Sequence, residues 1–297
     1  MLKIQNNYPL KNKTSFNIGG VSKYYFAPKN ISEIIKACVF SKEKDIPIFV
    51  LGKGTNILVS DKGWHGIVID VSEHLTKIRW IKNKAICQSG ALLNVLVREA
   101  AKKNYLGIEK LAGIPGTVGG AIVMNAGAFG QQISDTLVSV EFLFLNNLQR
   151  EKYNKSQINF SYRNSIFKTE SCIILSALFN FYNDKSKNAN KIRLESLLYR
   201  KKNHPLNFPN CGSVFKNPPN ISAGKLIEDC KLKGISFGDA QISQKHANFI
   251  INKGNARAED VRKLIAFVQK EVYEKTKIIL EPEVIFVGDF ETELFKP

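Results

Sequence analysis

The sequence is poor in the residues that several common kinds of site require. Its 297 residues include five cysteines, Cys38, Cys87, Cys172, Cys211 and Cys230, an odd number widely scattered and with no Cys-x-x-Cys pair. That excludes a zinc ribbon and a disulfide framework, and free thiols point to a reducing cytoplasm. The four histidines, His65, His74, His204 and His246, lack metal-ligand spacing. No Gly-x-Ser-x-Gly elbow surrounds Ser213, so a hydrolase triad finds no support. The longest apolar stretches, such as residues 172–178, fall well short of the ~20 residues that span a bilayer. The first sixteen residues are polar and basic, without the apolar segment of a secretory signal. These absences lead to the expectation of a soluble cytoplasmic protein without a metal site. Its composition, 44% hydrophobic and 23% charged, is that of a folded chain, long enough for one large or two moderate domains.

Acidic residues are also scarce. Asp and Glu number 26 against 43 Lys and Arg, for a net charge of +17. Such an excess attracts nucleic acid, a lipid surface or a phosphorylated small molecule. It also follows from an AT-rich coding bias, since Lys, Asn and Ile are all abundant and Lys outnumbers Arg several-fold. Most of the lysines lie outside the motifs described below, so coding bias accounts for the bulk of the charge. The remainder is available to steer anionic ligands.

Hydrophobic periodicity gives a mixed pattern rather than regular strand–helix alternation. Residues 31–40 place Ile31, Ile34, Ile35 and Cys38 at helical spacing, with Asn30 or Ser32 as cap. Residues 91–104, 192–198, 222–231 and 258–276 are further helix candidates. Strands are expected at 46–51, 57–59, 66–71, 138–145, 172–181, 247–251, 278–280 and 284–287. The polar stretch 182–191 (YNDKSKNANK) reads as a linker. The expected division is therefore 1–182 and 183–297.

Two glycine-rich loops carry the first chemical signal. Gly52-Lys53-Gly54-Thr55-Asn56 lies between two apolar runs, where glycines admit positive φ and successive N–H groups can form an anion-binding nest. Alone, a plain tight hairpin explains it. The second loop, Gly113-Ile114-Pro115-Gly116-Thr117-Val118-Gly119-Gly120, is followed closely by Asn125. It is neither Walker A nor the Rossmann fingerprint. It fits a phosphate-cradling turn leading into a helix near Thr117, whose N-terminus would face the anion. Two such loops together point to a dinucleotide with two phosphates. A third group is Arg163 in SYRNS, Ser213 after a glycine turn and Glu283 before an apolar strand. Arg163 offers a fixed fork for a carboxylate or an oxyanion. Each has a plainer reading, as a surface charge, a turn residue and a solvated strand end respectively.

Eight segments in order resemble the UDP-N-acetylenolpyruvoylglucosamine reductase family: NKTSFNIGG (12–20), GKGTNILVSD (52–61), AGIPGTVGGAIVMNAGAFG (112–130), SYRNS (161–165), GSVFKNP (212–218), AGKLIEDCKLKG (223–234), KHANFIIN (245–252) and EPEV (281–284). The resemblance implies an α+β protein. An FAD-binding domain of the vanillyl-alcohol-oxidase (PCMH) type, in two lobes over 1–182, precedes a smaller α+β substrate-binding domain over 183–297. It implies FAD held through Gly52, Lys53, Gly54, Thr55, Asn56, Gly113, Gly116, Thr117, Gly119, Gly120 and Asn125. It further implies NADPH as reductant and UDP-N-acetylglucosamine enolpyruvate as substrate, in peptidoglycan precursor synthesis. Ser213 matches the family's proton donor, and Arg163 and Glu283 the pair at the substrate carboxylate. Asn217 and His246 match substrate-contacting positions. Ile285 stands where an Arg is common in the family, and His204-Pro205 where Gln-Pro or Lys-Leu-Pro often occurs. The short span from Arg163 to Ser213 marks the shorter subtype. The expected partners are these small molecules alone, with a monomeric chain and no nucleic acid or membrane. An alcohol oxidase with covalently bound flavin and a basic nucleic-acid-binding protein are the competing readings.

Overall fold

A computed structural model describes residues 2–297, which divide into two compact units. The first is built mainly from Tyr25–Lys53 and Ile67–Arg200, the second from Gln5–Tyr24, Gly54–Gly66 and Lys201–Pro297. The division does not run at 182/183. Residues 183–200 join the first unit because Leu197, on helix α4 (Ala189–Asn203), packs against that unit's core. Two early segments join the second unit because Phe16, Ile18 and Leu58 lie in its core.

In the first unit a five-stranded antiparallel sheet runs in the order Arg150–Asn154, Leu137–Phe144, Cys172–Asn180, Lys84–Gln88, Ile78–Ile81. Its central strands are buried in consecutive runs, as at Ile173, Ile174 and Leu175, all at most 6% exposed, so both of their faces are covered there, while the edge strand Arg150–Asn154 is largely exposed. Val140, Phe142 and Phe179 are fully buried with Leu93, Leu96 and Val97 of α2 (Leu93–Lys102) and with Ile122 of α3 (Val118–Val123). Separately, Ile48–Leu51 pairs in parallel with Ile67–Asp70 through Ile48↔Ile67 to Leu51↔Asp70, the strand order left by a crossover connection. Helix α1 (Ile31–Glu43) is capped by Asn30, whose side chain accepts Glu33 N–H at 3.0 Å.

The second unit has a three-stranded antiparallel sheet, Ser236–Phe237, Ala240–Ile242 and Ile250–Asn252, on which α6 (Ala258–Thr276) packs, with α5 (Ala223–Asp229) beside α6. Helix α6 turns Val261, Leu264, Ile265, Val268 and Val272 inward, all at most 1% exposed. Its first two N–H groups, of Ala258 and Glu259, are taken by Asp61 Oδ1 at 2.9 Å and Oδ2 at 3.1 Å. Asp61, 197 residues away in sequence, thus anchors this helix. Ile57–Val59 pairs in parallel with Ile285–Val287.

The strand expected at 278–280 is not present. Lys277 closes α6 in the left-handed region, and the Leu280 carbonyl accepts from the Gln269 side chain rather than from a neighbouring strand. Among the described residues no helix is long and apolar enough to cross a membrane, and no group of three or more His, Cys, Asp and Glu side chains is placed to hold a metal ion.

Candidate active site

The glycine-rich loops of the first unit meet at Gly52 and Thr117. A Cβ on Gly52 would stand 2.7 Å from Thr117 Oγ1, so only glycine allows this approach. Gly54 has φ +59, and a Cβ there would lie 2.0 Å from the Lys13 carbonyl oxygen. The first turn of α3 donates within the protein. Val118 N–H bonds Ala91 O at 2.7 Å, Gly119 N–H bonds Ser89 O at 2.8 Å, and Gly120 N–H bonds Thr117 Oγ1 at 3.2 Å. The N–H groups expected to face an anion from this helix are therefore already engaged. Among the described residues, the amides of Gly52, Lys53, Gly54, Gly116 and Thr117 take no protein acceptor. These amides lie in the turns before the helix and form the nest. Two buried oxygens of the same unit, Ser89 Oγ and Asn125 Oδ1, also make no hydrogen bond.

Arg163 sits at the tip of a tight turn. Ser161 and Asn164 exchange two backbone hydrogen bonds of 3.1 Å, and Arg163 has φ +55. A non-glycine residue in that region carries about 1–3 kcal/mol of strain, which must be held by its surroundings. Asn125 Nδ2 donates to Ser161 O at 2.9 Å, and Ser165 Oγ donates to Val123 O at 2.8 Å. Asn125 and Ser165 are each 1% exposed, so the turn stands on a buried polar base. The Arg163 guanidinium stacks over Tyr162 at 5.2 Å and lies 3.3 Å from where a Gly127 Cβ would be. A second arginine, Arg200, fills the space that Gly113 leaves open and donates from Nε to Ala112 O at 2.9 Å. Burial and the positive charge of Arg163 hold its pKa below the usual arginine value. Both guanidiniums add positive charge to the first unit. Arg200 lies in none of the motifs of the sequence, and the one signal that could have singled it out is that arginine is several-fold scarcer than lysine in this chain.

In the second unit, Ser213 and Glu283 are carried by adjoining extended segments. Glu283 N–H donates to Val214 O at 2.7 Å, Lys216 N–H donates to Glu281 O at 2.9 Å, and Phe215 bridges Pro282. Gly212, with φ +84, turns the chain into Ser213, and nothing lies within 4 Å of where its Cβ would be. Ser213 is half-buried, and among the described residues its hydroxyl makes no hydrogen bond. Asn56 donates from Nδ2 to Glu283 O at 3.1 Å, and its backbone carbonyl accepts Ile285 N–H at 3.0 Å, which fixes the start of that strand. Burial and the nearby Glu283 carboxylate push the Cys211 thiol pKa up. Asn217 is exposed, and its Oδ1 accepts Ala223 N–H at 3.0 Å at the start of α5. His246 is held below the usual histidine pKa by burial and by Lys233. Its Nδ1 accepts Asn248 N–H at 3.3 Å, which leaves Nε2 as the N–H donor of the neutral ring.

Residues 22–147 match the family described as FAD binding domain, and residues 204–287 match that described as UDP-N-acetylenolpyruvoylglucosamine reductase, C-terminal domain. Over 298 aligned residues, all of this chain and 94% of the relative, it is 43% identical to the UDP-N-acetylenolpyruvoylglucosamine reductase of Caldicellulosiruptor bescii. The chain belongs to the UDP-N-acetylenolpyruvoylglucosamine reductase family. A relative of the same name from Caldanaerobacter subterraneus subsp. tengcongensis is 42% identical over 97% of this chain and 94% of its own. The crystal structure of the Thermus caldophilus reductase superposes with a TM-score of 0.81 at 32% identity, covering 97% of this chain and 99% of that one. The fold is therefore the α+β arrangement of this reductase family, with an FAD binding domain followed by the family's C-terminal domain.

The residues present fit FAD. Uncommitted amides in two closely packed turns match the acceptor oxygens of a pyrophosphate. The buried, unbonded Ser89 and Asn125 oxygens add polar atoms of the kind a bound cofactor satisfies. Of the expected cofactor residues, Gly52, Lys53, Gly113, Gly116, Thr117, Gly119, Gly120 and Asn125 are all in the first unit. Gly54, Thr55 and Asn56 continue the same loop into the second. Ser213, Glu283, Asn217 and His246 share the second unit, whereas Arg163 belongs to the first.

Proposed function

We propose that this chain is an NADPH-dependent reductase converting UDP-N-acetylglucosamine enolpyruvate to UDP-N-acetylmuramate, a step of peptidoglycan precursor synthesis. The relation that carries this reading is the 43% identity over the whole chain to a reductase of that name. The first unit then holds FAD and the second the sugar nucleotide. FAD, when bound, supplies hydride transfer from NADPH to the terminal enol carbon. Ser213 gives its hydroxyl proton to the neighbouring carbon. A serine hydroxyl is a weak acid, and it suffices here because that carbon becomes strongly basic once hydride has arrived. Arg163 presents a fixed positive fork to the substrate carboxylate, where negative charge builds up. Glu283 assists as a hydrogen-bond donor, which requires its carboxyl to carry a proton. Asn217 and His246 contact the substrate, His246 through the Nε2–H that its tautomer leaves free. The enzyme acts in the cytoplasm as a monomer, with no nucleic acid or membrane as partner. All five thiols are free, as that compartment requires.

The test follows the flavin colour through two half-reactions. NADPH should bleach the FAD-loaded protein, and the enolpyruvyl sugar nucleotide should restore it. Ser213→Ala should keep the bleaching and slow the restoration by about 10²–10⁴-fold, the usual contribution of a positioned acid. A colourless protein that FAD does not reconstitute, or a bleached one that the sugar nucleotide leaves bleached, overturns the reading. Flavin that stays with the chain after denaturation would place it with the covalent flavin oxidases.

A further inference from the structure

Asn248 is 4% exposed, and its side-chain amide is wholly engaged with one backbone residue. Its Nδ2 donates to Phe215 O at 2.8 Å and its Oδ1 accepts Phe215 N–H at 2.9 Å. Its own carbonyl accepts Val214 N–H at 2.9 Å. A side-chain amide offers the same donor–acceptor pair as a peptide group, so Asn248 supplies a ladder rung where no strand runs. On the opposite edge, Val214 O and Lys216 N–H are bonded to residues 283 and 281. The segment after Ser213 is thus gripped from both sides.

Other buried amides of this unit are used differently. Asn252, 2% exposed, donates to Phe16 O and accepts Gly254 and Ala256 N–H, all outside the 213–216 segment. Gln269 donates to Leu280 O, while its own oxygen makes no bond. Asn248 alone of these three fastens the residues that follow Ser213.

We infer that Asn248 is a positioning residue for the protonation step. Its side-chain amide fixes the backbone of Phe215, its main-chain carbonyl that of Val214, and together they set the place of the Ser213 hydroxyl beside the segment bearing Glu283. The inference rests on the proton-donor role proposed above. Upstream, Asn210 Oδ1 accepts Gly212 N–H at 2.9 Å, so the glycine turn is held at its start and Asn248 holds it at its end.

Asn248→Asp is the informative variant. A protonated carboxyl reproduces both bonds, its C=O accepting Phe215 N–H and its O–H donating to Phe215 O. A carboxylate has no donor and repels that carbonyl. Burial raises the pKa of such a group, so the exchange falls above the ordinary carboxylate range. In stopped-flow experiments, bleaching by NADPH should stay within about twofold of wild type at every pH. Restoration by the enolpyruvyl sugar nucleotide should fall about 10²-fold when the introduced carboxyl is ionised, since a 1 Å misplacement costs that much. It should recover toward the wild-type rate, measured at the same pH, as the pH is lowered. Asn248→Ser, small and neutral, should show the same split without recovery, and it stands in if the aspartate variant does not fold. Asn252→Ala should lower the melting temperature without separating the half-reactions.

Wild-type restoration in Asn248→Asp at all pH values, or equal loss of both half-reactions, overturns the inference. Failure of the wild-type protein in either half-reaction would count against the proposed function instead. Amide hydrogen exchange of residues 212–216 then decides the clamp. Protection that Asn248→Asp loses on ionisation and regains in acid supports it, and protection equal to wild type at every pH overturns it.

Discussion

Alanine in place of Gly52 tests whether the packing of the two glycine-rich loops sets cofactor affinity. The added methyl would stand 2.7 Å from Thr117 Oγ1 and 3.4 Å from Thr117 Cγ2, where ordinary contact begins near 3.4 Å. Thr117 has little room to yield. It is 1% exposed, and its Oγ1 caps α3 through Gly120 N–H at 3.2 Å. Turning that hydroxyl away gives up the cap, at about 1 kcal/mol. Keeping it in place pushes the loop back by roughly 0.7 Å and moves the free amides of Gly52 and Lys53, at the 1–3 kcal/mol or so typical of overpacking. Either route destabilises the fold by about 1–3 kcal/mol, and the second also weakens FAD binding about tenfold for each ~1.4 kcal/mol lost. FAD affinity is read by flavin fluorescence on titration, and stability by thermal melting with and without FAD. Thr117→Ala alone should lose only the cap. Gly52→Ala added to it should cost little more, because the clashing oxygen is gone, and the cycle should show a coupling of about 1 kcal/mol or more. A Gly52→Ala protein with wild-type FAD affinity and melting temperature would refute the reasoning, as would strict additivity in the double variant.

Two further outcomes follow from the same structure. Asp61→Ala removes both acceptors at the start of the 19-residue α6 and should destabilise the protein by about 1–2 kcal/mol, with Asp61→Asn losing less. Urea unfolding checks this, and an unchanged midpoint for Asp61→Ala would sink it. Burial pushes Cys38 from the ordinary thiol value near 9 up to about 11, and Cys87 and Cys172 up to about 12, with Glu99 and Glu170 adding to the last two. The unfolded chain releases these protons first. The stability the neutral thiols provide is therefore fully present below pH 9 and is lost as the pH rises through about 11 to 12. Unfolding free energies measured across that range should fall less steeply in Cys38→Ala and Cys87→Ala, and equal slopes would contradict the assignment.

Much of this protein was legible along the chain because it depends on neighbours in sequence. Helical spacing after Asn30 marks α1, and Asn30 does cap it. The acidic start of α6 and the glycine turn before Ser213 are local signals of the same kind. The glycine-rich turns could be located from composition, but which of their amides stay free could not. The donors at the start of α3 are taken by Ala91 and Ser89, more than twenty residues upstream. The apolar run at 278–280 looked like a strand, yet Leu280 finds its partner in a glutamine side chain of α6. The unit division also interleaves, since Phe16, Ile18 and Leu58 bury themselves with residues between Cys211 and Val284. Arg200 lies outside every motif of the sequence, and Asn248, though inside KHANFIIN, carries no local sign of what it fastens. One is recognised by the glycine it packs beside and the carbonyl it bonds, the other by the backbone it fastens. The order of residues was enough to establish the family, the local elements and the loops where chemistry is concentrated, because residue type constrains φ, burial and hydrogen-bonding capacity one turn at a time. Which donors remain open, which side chains hold the proposed reacting groups and where one unit ends were settled by folding, because those depend on contacts between residues far apart in the chain.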